Sequence, residues 1–494
     1  MNYISTRNSD MKGVSASYAI KTGLALDGGL YMPSSIPTLS LSEIESLIDK
    51  SYPERAAVII GKYLSDYTYE ELLEDAKSAY SSDKFYDFPA KITDMSDGTY
   101  MLELWHGPTC AFKDMALQIM PRLFVRALGK CGEKRTAMIL VATSGDTGKA
   151  ALEGYRDVEG TAIKVFYPVD GVSSIQKLQM QTQVGGNVSV DGILGNFDDA
   201  QNGVKQIFAD DKISRELDSR GFFLSSANSI NWGRLVPQIV YYVSAYCDMV
   251  KYGKIMPGDE IDVCVPTGNF GNIFACYLAK KMGLPVKQLI CASNKNNVLT
   301  DFLRNGVYDK NREFHTTISP SMDILISSNL ERLLYITLGS EKTAKYMKKL
   351  SECGKYELTK VDFAKISSDF IGYYTDEEET AKTIKNTYEN KNCLIDTHTA
   401  VALCAALKYK DDHKAERKIL TVSTASPYKF ASDVYASITG NKPASDIEAP
   451  DMLMKLTGVP IPLPLSDIEK REVIHKRTIS KDDMKVSVKD FAIK

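Results

Sequence analysis

Four loops carry residue types that chemistry needs, and each follows an apolar run. The first is Gly107-Pro108-Thr109-Cys110-Ala111-Phe112-Lys113-Asp114. Lys113 has Ala111 and Phe112 before it and Met115, Ala116 and Leu117 after it. Apolar company disfavours an ammonium, so this amine can act as a nucleophile near neutral pH and form a Schiff base with a carbonyl cofactor. For an isolated lysine the bland alternative, a packed stem with a solvated head, carries more weight.

The second loop, Thr143-Ser144-Gly145-Asp146-Thr147-Gly148, leads from AMILVA into KAALEGY. Hydroxyls and backbone N–H groups at a helix start suit a carboxylate or phosphate, although a plain capped turn uses the same residues. A P-loop is excluded, because Ala150 stands where Ser or Thr is required. The third loop is Thr267-Gly268-Asn269-Phe270-Gly271-Asn272, between DVCVP and IFACYLAKKMG. Its two glycines let backbone approach an anion, and a helix dipole adds attraction. A single phosphate fits it better than a dinucleotide. The fourth, Ser423-Thr424-Ala425-Ser426-Pro427-Tyr428-Lys429, follows KILTV and offers hydroxyls to a ring nitrogen.

Two further segments add charge. SSIQKLQM holds Lys177 and NSINWGR holds Arg234; either cation can bind a phosphate, arginine by a bidentate fork. Ser229 or Asn231 can equally cap the helix that follows. His106 lies beside the lysine loop, but the five histidines show no metal-ligand spacing, so no metal is expected.

These loops need elements to hold them. From about residue 99 short apolar runs (TYMLEL, TAMILVA, TAIKVFYP, NVSVDG, EIDVCVP, VKQLICA, KILTVS) alternate with helical stretches, the pattern of parallel sheets covered on both faces. Ligands in such α/β folds bind beyond the carboxyl ends of strands, where all four loops fall. Residues 1–90 read as helical: Ser42 with Glu45 suggests a capping box, and Leu72, Leu73, Ala76 and Tyr80 keep helical spacing. Asp27-Gly28-Gly29 signals a turn. The Lys- and Glu-rich stretch 300–395 reads as an insertion or a helical layer, with helical pieces in it, and the last thirty residues as a charged surface segment.

Composition bounds the function. Sixty basic residues against 63 acidic ones give a net charge of −3, so nothing points to a nucleic-acid surface or a polybasic membrane patch. No run nears the ~18 apolar residues of a membrane span. Nine cysteines without a CxxC pair point to reduced thiols in a cytoplasmic protein.

LALDGGLYMP, HGPTCAFKD, ATSGDTGKAA, SSIQKLQM, SANSINWGR, PTGNFGN, SPSMDI with SNLER, and STASPYKF, in this order, closely resemble the threonine synthases of the microbial type. The resemblance implies two doubly wound, mostly parallel-sheet domains of the tryptophan synthase β-like type, a mainly helical N-terminal domain and pyridoxal 5'-phosphate as cofactor. The expected division is 1–92 helical, 93–240 α/β with the Schiff-base lysine and substrate loop, and 241–494 α/β for the cofactor phosphate. By the same resemblance Lys113 carries the cofactor and Gly268, Asn269, Phe270, Gly271 and Asn272 cradle its phosphate. Thr424 meets the pyridine nitrogen; Ser144, Asp146, Thr147, Asn231 and Arg234 bind substrate. Ser426 stands where the family motif STAHP has histidine, which bears on the pocket edge.

The implied reaction turns O-phosphohomoserine and water into threonine and phosphate, with the freed Lys113 amine as general base. The nearest alternative is a phospho-lyase that releases a 2-oxo acid. A threonine dehydratase lacks LALDGGLYMP and NSINWGR, and a non-catalytic relative would lack the lysine. Monomer and homodimer both stay open.

Overall fold

The structure is a computed structural model that describes residues 1–492 apart from Ser9 and Asp87. Its N-terminal part is helical, with helices Ala16–Thr22, Leu41–Leu47, Tyr52–Tyr63 and Tyr69–Ala79 beside a small antiparallel ribbon of Tyr3–Ser5 and Tyr31–Pro33. Thr68 and Glu71 form a capping box, and Leu72 and Ala76 point inward as their spacing predicts. The expected box at Ser42 and Glu45 lies two residues too late. Ser40 and Glu43 form it instead, because the preceding Leu39 is buried and its N–H is tied to Met282 O at 2.7 Å, which fixes where the chain turns into the helix. The 27–29 turn is present: Asp27 Oδ1 accepts from Gly29 N and from Ser5 Oγ, both at 2.8 Å.

Two sheets follow. The larger has six strands in the order Phe370–Tyr374, Val286–Ser293, Ile261–Pro266, Ile419–Ser423, Thr99–Glu103 and Lys91–Asp94, parallel except for the last pair. The smaller has five parallel strands, Thr478–Ser480, Val188–Leu194, Thr161–Pro168, Thr136–Ala142 and Phe222–Ser225. All seven strand runs read from the sequence are strands. Their continuous apolarity follows from helices on both faces.

The strands are not shared out as the expected division 93–240 and 241–494 has it. Thr99–Glu103 is buried throughout and pairs in register with Ile419–Ser423, so the lysine loop hangs from the larger sheet. The stretch 300–395 is also more than a helical insertion: Phe370–Tyr374 closes one edge of that sheet, and Val307–Asp309 pairs with Lys355–Glu357. The charged C-terminal segment is no surface tail. It adds an edge strand to the smaller sheet and buries Ile479, Met484 and Val488 from its strand and final helix.

The 20-residue helix Trp232–Lys251 crosses between the sheets and the N-terminal helices, buried on every side from Trp232 to Cys247. A helix apolar all round belongs in a core. Arg55 anchors it to the N-terminal helices, donating to Asp248 Oδ1 and Ser244 Oγ at 2.7 Å each. No helix among the described residues is long and apolar enough to cross a membrane.

Candidate active site

The larger sheet brings the first and fourth loops together, because their strands are neighbours. Phe112 N donates to Thr424 O at 2.8 Å, Ser426 N to Cys110 O at 3.0 Å, and Ala111 bridges Ala425. Lys113 therefore starts the short helix Asp114–Leu117 from a fixed position. Its side chain is 11% exposed, with Nζ 3.5 Å from Asp146 Oδ2 and 4.9 Å from the centre of the Phe112 ring. Burial pushes the Lys113 amine below its ordinary value; Asp146 opposes this, and Arg234 and Lys429 add to it.

Asp146 comes from the smaller sheet, on the loop after Thr136–Ala142. Thr143 Oγ1 closes that loop by accepting from Gly145 N and Gly148 N at 2.9 Å each. Gly145 has φ +130°, and a Cβ there would lie 2.4 Å from the Gln176 side chain, so both conformation and space demand glycine. Asp146 Oδ1 receives Lys429 Nζ and Gln176 Nε2, each at 2.8 Å, and Oδ2 receives Ser321 Oγ at 3.3 Å. Burial alone would raise this carboxyl, but Lys429 and then Lys113 outweigh it and hold Asp146 far below the usual carboxylate range. Ser144 and Thr147 flank it, half-buried.

In the third loop Phe270 takes the left-handed conformation, φ +61°, as the cap of helix Gly271–Met282, whose first turn has no side-chain cap. The loop carbonyls are tied away: Asn269 O accepts from Asn329 N and Nδ2, and Gly268 O from Ser327 Oγ. The missing side chain of Gly268 makes room for Ser321 O, since a Cβ there would lie 2.8 Å from it. Asn272 Oδ1 accepts from Tyr241 OH and Tyr242 OH at 2.5 Å each, while its buried Nδ2 has no partner among the described residues. Uncapped helix N–H groups beside an unsatisfied buried donor suit a phosphate.

Other predicted residues divide. Arg234 is buried in the first turn of the central helix, donates to Ala227 O at 2.8 Å, and pairs with no carboxylate among the described residues. Burial pushes its guanidinium down to about 10. Thr424 is buried at the seam between the first and fourth loops. Asn231 is a helix cap, fully buried, its Oδ1 accepting from Gly233 N and its Nδ2 donating to Ile20 O, both at 2.9 Å. Both polar ends of its side chain are thus engaged by the fold. Ser426, fully buried, caps the 427–430 turn through Tyr428 N. His106 stacks on Trp105 and bonds Glu103 at 2.7 Å, a loop role, and Lys177 is half-buried.

Sequence reasoning missed Lys429, Gln176, Gln179, Ser321, Asn329 and Arg332. Only Gln176 and Gln179 had a usable signal, one inward face at i, i+3 in SSIQKLQM. Arg332 is fully buried and donates to Ile230 O at 2.6 Å and to Tyr31 O at 3.3 Å, and it also bonds Asn329. It thus ties LALDGGLYMP and NSINWGR to the residues that hold the third loop.

A buried lysine whose ammonium is disfavoured and an uncapped helix start suited to a phosphate are parts that a pyridoxal-phosphate-dependent enzyme requires. The family model described as "Pyridoxal-phosphate dependent enzyme" matches residues 98–425. Residues 2–80 match "Threonine synthase N terminus" and residues 399–478 match "Threonine synthase, C-terminal". The chain belongs to the threonine synthase family.

Threonine synthase of Pseudomonas aeruginosa is 37% identical over 92% of this chain and 93% of that protein, and the Saccharomyces cerevisiae enzyme is 37% identical over 89% of each. Human threonine synthase-like 1 is 40% identical over 85% of the chain, which spans only 58% of that longer protein. The crystal structure of PLP-bound threonine synthase from Brucella melitensis superposes with a TM-score of 0.88 at 34% identity, covering 100% of this chain and 99% of that one.

Proposed function

We propose that this chain is a threonine synthase, converting O-phosphohomoserine and water to L-threonine and phosphate. The observation that carries the reading is one site holding both a buried amine that resists protonation, Lys113, and a buried unpaired guanidinium, Arg234. Lys113 holds the cofactor's aldehyde carbon, and the N–H groups of Gly268, Asn269, Phe270, Gly271 and Asn272, with Asn272 Nδ2, hold its phosphate. Thr424 offers a neutral hydroxyl to the ring nitrogen. Ser144, Asp146 and Thr147 receive the amino-acid end of the substrate, and Arg234 grips its phosphate. Asn231 supports this set from behind, as the cap that starts the Arg234 helix.

Pyridoxal phosphate supplies the electron sink that makes the substrate Cα and Cβ protons removable. With its nitrogen free, Lys113 would be the base for both protons. Its amine takes the Cα proton, gives it up within the site and then takes a Cβ proton, and phosphate leaves Cγ with the electrons of the C–O bond. Lys113 then returns protons at Cγ and Cα, while water adds its oxygen at Cβ and gives its proton to the departed phosphate. All nine cysteines are free thiols, which supports a reducing, cytoplasmic compartment.

The test is product analysis with O-phosphohomoserine. Phosphate with equimolar threonine is expected. Phosphate with 2-oxobutyrate and ammonia would make the chain a phospho-lyase, and no phosphate from a cofactor-loaded protein would mean another substrate.

A further inference from the structure

Lys429 has no exposed side-chain surface, yet its ammonium lies inside the site. Its three donors are all placed: Asp146 Oδ1 at 2.8 Å, Thr109 O at 2.9 Å and Gln179 Oε1 at 3.0 Å. It has none left for a substrate. Those partners belong to the second loop, the lysine loop and the SSIQKLQM helix, so one side chain of the fourth loop joins three other motifs.

With Oδ1 held by Lys429 and Gln176, Asp146 turns Oδ2 toward Lys113 at 3.5 Å, longer than a charge-assisted hydrogen bond. We infer that Lys429 is a positioning residue for the reacting amine: it fixes Asp146 by one oxygen and shares its charge, so that Lys113 lies beside the other oxygen without a full ion pair. The inference rests on Lys113 being the cofactor lysine.

Three charges face Lys113: Asp146 from the smaller sheet, Arg234 from the central helix and Lys429 from the 427–430 turn. Lys429 in turn faces Asp146, Lys113, Asp114 and Lys149. Removing its charge leaves Asp146 to Lys113 alone, which favours the ammonium on Lys113.

The experiment uses full-length protein freed of cofactor and incubated with pyridoxal phosphate across a pH series, then with borohydride, with the label on Lys113 read by mass spectrometry. Unprotonated Lys113 amine adds to the aldehyde carbon; one water leaves as the C=N bond forms, and hydride reduces that bond. In Lys429→Met the pH of half-maximal labelling should rise by about one unit or more, with the plateau at high pH retained. Lys429→Gln, which keeps a donor for Asp146 but no charge, should shift in the same direction and decides the matter if the methionine variant does not fold. Weaker labelling at every pH with an unmoved midpoint would reduce Lys429 to a structural bond and overturn the inference. Wild-type protein that takes no label on Lys113 would overturn the cofactor-lysine reading first, and this inference with it.

Discussion

Asp114 closes the lysine loop on Thr109, accepting its backbone N–H at 2.8 Å and its hydroxyl at 2.6 Å. A Cβ at Gly107 would lie 2.6 Å from Asp114 Oδ2, so the loop folds back only with glycine there. Burial, against the Thr109 bonds, pushes the Asp114 carboxyl up to about 6 from 3.8. The folded state thus binds this proton more tightly than the unfolded chain. Its stabilising contribution is full below about pH 4, falls as pH rises to about 6, and is constant above, by roughly 3 kcal/mol in all. Urea unfolding of wild type and Asp114→Asn across that window should show the wild-type advantage shrinking as pH rises. A pH-independent difference would reject the assignment.

Arg234 should trade stability for binding. A buried guanidinium without a carboxylate destabilises the free protein, so Arg234→Met should melt no lower than wild type, and higher if the methionine packs well. With Arg234 on the substrate phosphate as proposed, the same change removes a charge-assisted bond of about 1.5–3 kcal/mol and should raise KM for O-phosphohomoserine roughly 10- to 150-fold. Steady-state kinetics and a thermal melt together check this; an unchanged KM moves Arg234 out of the phosphate site.

Asn231 should behave in the opposite way. As a cap its replacement by alanine costs about 1 kcal/mol in unfolding free energy. KM should stay within about twofold, a change near the thermal energy. A large KM increase in a stable Asn231→Ala protein would restore it to the substrate contacts.

Asn329 holds the 267–272 loop, proposed to take the cofactor phosphate, through Asn269 O at 3.0 and 3.1 Å. Asn329→Ala leaves that carbonyl one bond short and frees the loop, which should weaken cofactor affinity about tenfold, a penalty of about 1–2 kcal/mol. Equilibrium titration of the visible cofactor band reads the effect, and unchanged affinity would refute it.

The C-terminal segment should matter through a buried ion pair. Lys164 and Asp191 meet at 3.0 Å with side chains 1% and 3% exposed, and Ser487 of the last helix donates to Asp191. Asp191→Ala leaves a buried ammonium unpaired and should cost about 3–5 kcal/mol. Lys164→Met with Asp191→Leu should cost less than that single change. Chemical denaturation of the three proteins tests the order, and a double variant weaker than the single one would contradict it.

Much of this protein is local and legible in its sequence. Apolar runs of strand length, hydroxyl- and glycine-rich turns after them, and a lysine among apolar neighbours each depend on residues a few positions apart, so TAMILVA, TAIKVFYP and the loops at 107–114 and 267–272 could be read directly. Helix starts were nearly so; the box at Ser40 rather than Ser42 was decided by Leu39 packing against the helix that ends at Met282.

Tertiary structure decided the rest. Strand pairing put Thr99–Glu103 beside Ile419–Ser423, which joins the lysine loop to the loop of Lys429, and packing of the smaller sheet against the larger brings Asp146 to both lysines. It also buried the Asn231 cap against Ile20 O, gave Gly268 the task of admitting Ser321 O, and drew a charged C-terminus into the smaller sheet. Periodicity and turn chemistry act along the chain. Which carboxylate neutralises which buried cation depends on where distant strands end, and only the packed fold fixes that.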